Sequence, residues 1–174
     1  MVNNRRKVFF QKYVLYIFIF ILLYVLQSTP GLFGILGIRP VLLIPAAVTL
    51  AMYEGGFTGG LFGALAGMLC DLGAFSFYGL YSILLLCCAA AAGLLVVYLM
   101  RRTLRVAVLL AAGTSALCCL LRFYFDYVLW GYAGIAKLFW EQSVPTMIYT
   151  AAVTPLFFYL FRRTDRYFSE KVSA

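Results

Sequence analysis

The sequence predicts an all-α integral membrane protein with six transmembrane helices and both termini on the cytoplasmic side, and three observations lead there. Of the 174 residues, 65% are hydrophobic and 11% are charged, whereas soluble domains are typically about 45–50% apolar and ~25% charged. Apolar runs are separated by gaps of fewer than twenty residues, so residues 1–174 read as a single membrane domain with no soluble one attached. Finally, the basic residues sit in short clusters between the runs, where they report topology. With six spans and the termini inside, the inner segments hold Arg5, Arg6, Lys7, Lys12, Arg101, Arg102, Arg105, Arg162, Arg163, Arg166 and Lys171. These are 11 of the 14 basic residues; five or seven spans would scatter them to both sides, against the positive-inside rule.

The first span covers residues 8–27, about the ~20 residues that cross a ~30 Å hydrocarbon core. Its apolar core is longer than the 7–15 residues of a secretory signal, and no A-x-A-like cleavage site follows, so it reads as retained. Residues 28–39, rich in Gly and Pro, form a loop that is re-entrant or interfacial. Pro40 opens a short second run, 41–53, interrupted by Pro45. A span of this kind is tolerated where neighbouring protein satisfies the freed backbone groups. Glu54-Gly55-Gly56 makes a turn into the third span, 57–72, and 73–78 is an aromatic connection. The fourth span, 79–100, contains the small-residue patch CCAAAAG and ends at Arg101 and Arg102. The fifth is 106–127, followed by a loop at 128–141. The sixth, 143–161, is stopped by Arg162-Arg163-Thr164-Asp165-Arg166. Aromatic residues, among them Tyr78, Tyr81, Tyr124, Tyr127, Trp130 and Trp140, then gather at the outer interface as a belt.

The third span carries the most distinctive pattern. Glycine recurs at Gly55, Gly59, Gly63 and Gly67, and the next step of four reaches Asp71. Glycine costs up to ~1 kcal/mol per helix-interior position in water. Small residues four apart are useful in lipid because they let another helix backbone come close. Each step of four turns about 400°, so the row drifts by ~40° per step and a partner must cross at an angle. The row serves either as a seam for the protein's own helices or as a contact for a partner span.

Ionisable groups within spans mark candidate sites, and here they are Asp71, Arg122 and Asp126, all toward the outer half. Arg122 and Asp126 lie four apart and can pair on one helix face, with Asp71 joining if the third and fifth spans are neighbours. This intramembrane polar cluster is either an ion, substrate or partner site, or a self-neutralising group near the headgroups. Histidine is absent, which removes imidazole bases and H-E-x-x-H metal chemistry. Cys70, Cys87, Cys88, Cys118 and Cys119 lie in apolar runs without a C-x-x-C and read as small buried apolar residues. No nucleophile elbow, phosphate loop or paired acid and base is present. The chain is expected to be no enzyme and to have no catalytic residue, cofactor or metal. The net charge of +8 follows the inner loops and does not point to nucleic acid.

Pro40 before a short apolar run, Glu54-Gly55 at its end, the Gly59/Gly63/Gly67 row closing on Asp71, and Tyr78-Gly79-Leu80-Tyr81 leading into a span that ends in paired arginines resemble the rod shape-determining protein MreD family. The likeness covers residues 39–102; the flanks agree in length and hydropathy. Val41 departs from it, since an acidic or polar residue is expected after the proline. The resemblance implies a non-enzymatic subunit of the cell-elongation machinery in the bacterial cytoplasmic membrane, with a role in rod shape and peripheral peptidoglycan synthesis. It implies MreC, a single-span protein with a periplasmic coiled coil, as the partner, bound through the glycine-lined surface. MreC and this protein together would link MreB filaments to RodA and a penicillin-binding transpeptidase. It also implies a fold similar to the S component of energy-coupling-factor transporters, and the alternative function is such a small-molecule-binding subunit. S components usually present an alanine-rich face on their first span, whereas residues 8–27 here contain neither Ala nor Gly.

Overall fold

A computed structural model describes the backbone of residues 2–29, 41–73, 79–125 and 144–173, and the side chains of those between 10 and 168. The described residues form six helices and no strand: α1 (Val2–Ser28), α2 (Leu43–Glu54), α3 (Gly56–Leu72), α4 (Leu80–Tyr98), α5 (Leu104–Phe123) and α6 (Val144–Ser173). Four contain segments long and apolar enough to cross a membrane: Phe10–Ser28, Leu80–Tyr98, Leu104–Phe123 and Val144–Phe168. Among the described residues the regular structure is all helical, and it is suited to several membrane passages. Helices α2 and α3 have 12 and 17 residues, which rise about 18 and 26 Å, short of a ~30 Å hydrocarbon core.

The short α2 sits at the centre. Every residue from Leu43 to Met52 is buried, and α1, α3, α4, α5 and α6 all pack against it. Pro45, expected to interrupt this run, is the third residue of the helix. In the first turn the proline nitrogen would have no intrahelical acceptor, so the helix forms around it. Thr49 is polar and fully buried, and its hydroxyl donates to the Pro45 carbonyl at 2.6 Å within the same helix. Gly55 then separates α2 from α3 with φ +90°, a left-handed conformation that glycine adopts without steric cost.

Helices α3 and α4 make the most extensive contact in the fold, and glycines set its closeness. A Cβ at Gly63 would fall 2.7 Å from the Ala89 Cβ, and one at Gly67 would fall 2.6 Å from the Ser82 nitrogen. Gly56 and Gly60 also face α4, against Leu94 and Ala90. The seam toward α4 is therefore Gly56, Gly60, Gly63 and Gly67. Steps of four, three and four keep these on one face at close to 3.6 residues per turn. Of the expected row, Gly59, Gly63 and Gly67 are close-packing positions, and Gly55 is corrected. Gly59 faces α2, where a Cβ would fall 2.6 Å from the Ala51 Cα, and Gly55 is the turn residue with nothing within 4 Å of an added Cβ. The drift foreseen for the row carries it from α2 to α4. The surface expected to receive MreC is thus occupied at Gly59, Gly63 and Gly67 by the chain's own helices.

Phe62 on the other side of α3 holds α1. Its ring lies 5.7 Å from Tyr16, edge to face, and stacks with Phe20 at 5.9 Å and Tyr13 at 6.1 Å. Tyr16 also meets Phe161 of α6 at 5.8 Å. Helices successive in the chain run antiparallel: Gly56 meets Leu94 while Gly67 meets Ser82, and the beginning of α5 (Ala107) packs with Val96 of α4 and Phe158 of α6.

Several expectations are corrected. Helix α6 does not stop at Arg162 but continues to Ser173. Charge limits burial in hydrocarbon, whereas arginine is a good helix former. Phe158, Phe161 and Phe168 are buried and keep one face of α6 on the bundle. Helix α1 likewise begins at Val2, ahead of its apolar run. Cys70 and Cys118 are buried as expected, but Cys87 is exposed. Tyr81 is buried and does not belong to an outer belt, whereas Tyr124 is exposed. Tyr78, Tyr127, Trp130, Trp140, Asp126 and most of the 28–39 loop lie outside the described residues.

Candidate functional site

Asp71, one residue from the end of α3, is 4% exposed. Its carboxylate accepts hydrogen bonds from the Tyr81 backbone N–H at 3.2 Å, the Ser82 backbone N–H at 3.1 Å and the Ser82 hydroxyl at 2.8 Å. Those two N–H groups belong to the first turn of α4, which lacks intrahelical acceptors. The residue before α4 is Gly79, in a left-handed conformation with φ +93° and no side chain to cap the turn. Asp71 supplies that cap from the neighbouring helix. The positive end of the helix dipole and three donors account for a carboxylate buried in an apolar bundle.

Arg122, in the last turn of α5, reaches the same place through Tyr81. Its Nη1 donates to the Tyr81 hydroxyl at 3.1 Å, and the guanidinium lies 5.7 Å from the ring centroid. Asp71 and Arg122 are thus joined through one tyrosine, which donates to the first by its backbone and accepts from the second by its hydroxyl. Asp126, expected as the third member, lies outside the described residues. This arrangement fixes the geometry of three helix ends.

The opposite end of the bundle holds a second polar cluster. Lys12 of α1, with a side chain 11% exposed, forms ion pairs with Glu54 at the end of α2 and, at 3.0 Å, with Asp165 of α6. The Tyr16 hydroxyl donates to the same Glu54 oxygen at 2.9 Å. One ammonium therefore ties three helices together, with two carboxylates sharing its charge. Sequence reasoning placed Lys12 among the inner basic residues and Glu54 in a turn, and missed their meeting. The signal was a lone aspartate in a basic run, four residues from Phe161, on a helix assumed to have ended.

No protein-family model, curated protein or solved structure matches this chain.

Beside the Lys12 cluster, a cleft of about 450 Å³ lies between the start of α5 and the second half of α6. Tyr53 forms its inner wall, flanked by Phe158 at 5.8 Å and by the Arg102 guanidinium 5.8 Å from the ring centroid. Arg162 and Arg166, one turn apart on α6, line the other side, and Thr103 and Leu104 at the start of α5 close it. No group of three or more His, Cys, Asp or Glu side chains suited to a metal ion occurs among the described residues.

Proposed function

We propose that the chain is a non-enzymatic scaffold of the bacterial cell-elongation machinery. In this reading it is a six-span protein of the cytoplasmic membrane with both termini inside, comparable to the MreD family. It binds a single-span MreC-type partner and through it is coupled to MreB, RodA and a penicillin-binding transpeptidase. The observation that carries the proposal is the use made of the polar and small residues within the bundle. Asp71 caps α4, the glycines admit α2 and α4, and Lys12 binds Glu54 and Asp165. All of these hold helices against one another, which is what a docking platform requires. The antiparallel run of helices supports six passages, and the clustering of arginines near residues 101–105 and 162–166 supports an inner location for that end.

With Gly63 and Gly67 filled from within, the partner span belongs on α1. The apolar segment of α1 is 17% buried, against 28–33% for the other three long apolar segments. Val14, Phe18, Ile21 and Val25 form an exposed row on it, spaced by four, three and four as one helix face requires. Affinity purification of the full chain from native membranes, with identification of bound proteins, tests the proposal. A single-span protein with an extracytoplasmic coiled coil is the expected companion, and its recovery falls in Phe18→Ala/Ile21→Ala. Recovery of transporter ATPases in its place overturns the proposal in favour of an uptake subunit.

A further inference from the structure

The cleft between the start of α5 and the second half of α6 is lined by basic and aromatic side chains. Three guanidinium groups border it: Arg102 from the α4–α5 connection, and Arg162 and Arg166 from α6. The one acidic residue on its wall, Asp165, shares the Lys12 ammonium with Glu54, and even counted in full its single negative charge is outnumbered by the three guanidiniums. The positive end of a 20-residue helix adds to the same field. Thr103, the residue before that helix, has extended backbone and makes no capping bond with its side chain. Tyr53 and Tyr159 contribute aromatic surface, and Tyr159 is 58% exposed on the outside of the bundle. The volume, about 450 Å³, falls in the range of small-ligand sites, roughly 300–1,000 Å³.

We propose that this cleft binds the phosphodiester headgroup of an anionic phospholipid. Guanidinium groups match phosphate oxygens in bidentate geometry, and arginine is more weakly hydrated than lysine, so it gives up water at less cost. The choice of a lipid over a soluble phosphate follows from location. The cleft opens where apolar helix surface, including exposed Leu109 and Leu156, gives way to the arginine-rich end, which is the depth at which lipid phosphates lie. Basic pockets between helices on the cytoplasmic side are suited to such headgroups. The inference rests on the inner placement of this end proposed above and is independent of any role in cell elongation.

The test uses the full chain in neutral detergent, mixed with equimolar phosphatidylglycerol and phosphatidylcholine and examined by native mass spectrometry. The wild type is expected to retain one phosphatidylglycerol with roughly ten-fold preference, the scale of one strong charge-assisted contact. Arg102→Gln/Arg162→Gln should bring the two lipids to near equality. Arg101→Gln/Arg105→Gln, at exposed positions outside the cleft, should keep the preference. If the double variant does not fold, Arg162→Gln alone is expected to reduce the preference several-fold. Undiminished preference in the Arg102/Arg162 variant, or equal loss in both double variants, overturns the proposal. Displacement of the lipid by millimolar inorganic phosphate overturns the lipid as ligand and assigns the cleft to a soluble phosphate.

Discussion

Asp71 shows how one residue type in a membrane bundle can be read two ways. From its position, a carboxylate inside an apolar run marks a candidate ion or substrate site. Its contacts are those of a helix cap, with two backbone N–H groups and one hydroxyl donating to it. Asp71→Ala leaves those donors without an acceptor and is expected to cost about 1–3 kcal/mol, the price of buried unsatisfied groups. Asp71→Asn keeps one acceptor oxygen and should cost less. Chemical denaturation in detergent micelles measures both, and equal stability of the alanine variant and wild type would contradict the capping role. Lys12 offers a second case, because Lys12→Met leaves Glu54 and Asp165 with no counter-charge from α1. The expected loss is on the order of 3 kcal/mol, with part of it recovered in Lys12→Met/Glu54→Gln. The same denaturation experiment, arranged as a double-mutant cycle, checks the coupling. The sequence displayed Asp71 because it interrupts an apolar run. It hid Lys12 and Glu54 because each lies at the edge of one, where charge is ordinary.

The glycine pattern on α3 was legible as a packing device, but its register was not. Counting by fours selected Gly55, Gly59, Gly63 and Gly67, whereas the face toward α4 is Gly56, Gly60, Gly63 and Gly67. The paired glycines 55–56 and 59–60 made both readings available, and only the helix crossing chooses between them. Substitutions distinguish the roles. Gly63→Ala places a Cβ 2.7 Å from Ala89 Cβ and against the Leu85 carbonyl, and an overpacked site of this kind costs about 1–3 kcal/mol. Gly113 on α5 has nothing within 4 Å of an added Cβ. Gly113→Ala should therefore leave stability unchanged or raise it by about 0.4–1 kcal/mol through a less flexible unfolded chain. Thermal melts in one detergent should show a lowered midpoint for Gly63→Ala and an unchanged or raised one for Gly113→Ala. Gly63→Leu reports on folding of the α3–α4 pair, so loss of partner binding in that variant carries no information about a docking surface. The end of α6 was misread for a related reason. A basic cluster stops hydrocarbon burial, while Phe168, two turns on from Phe161, continues the buried helix face beyond it.

At the scale of the whole molecule, composition and the apolar runs made legible in the sequence a helical architecture suited to several membrane passages. The arrangement of those runs was not, because periodicity is weak in helices apolar on every side. Nothing in the residues of α2 alone says that it lies innermost. The topology reading makes a prediction of its own. A reporter fused after Ala174 should fluoresce as a cytoplasmic protein does, and alkaline phosphatase inserted at residue 135 should be active outside. Phosphatase activity at the C-terminus would place that end outside and would remove the inner placement of the arginine cleft.

The central position of α2 also bears on how the chain is made. Twelve residues bounded by Glu54 are a poor substrate for independent partitioning into a bilayer during translation, and their natural surroundings are helices not yet synthesised. Gly55 connects them directly to α3 as a hairpin. The two halves of that hairpin are thus expected to enter the lipid together, late, and in the company of α4, so that the placement of this segment waits on chain the ribosome has yet to deliver.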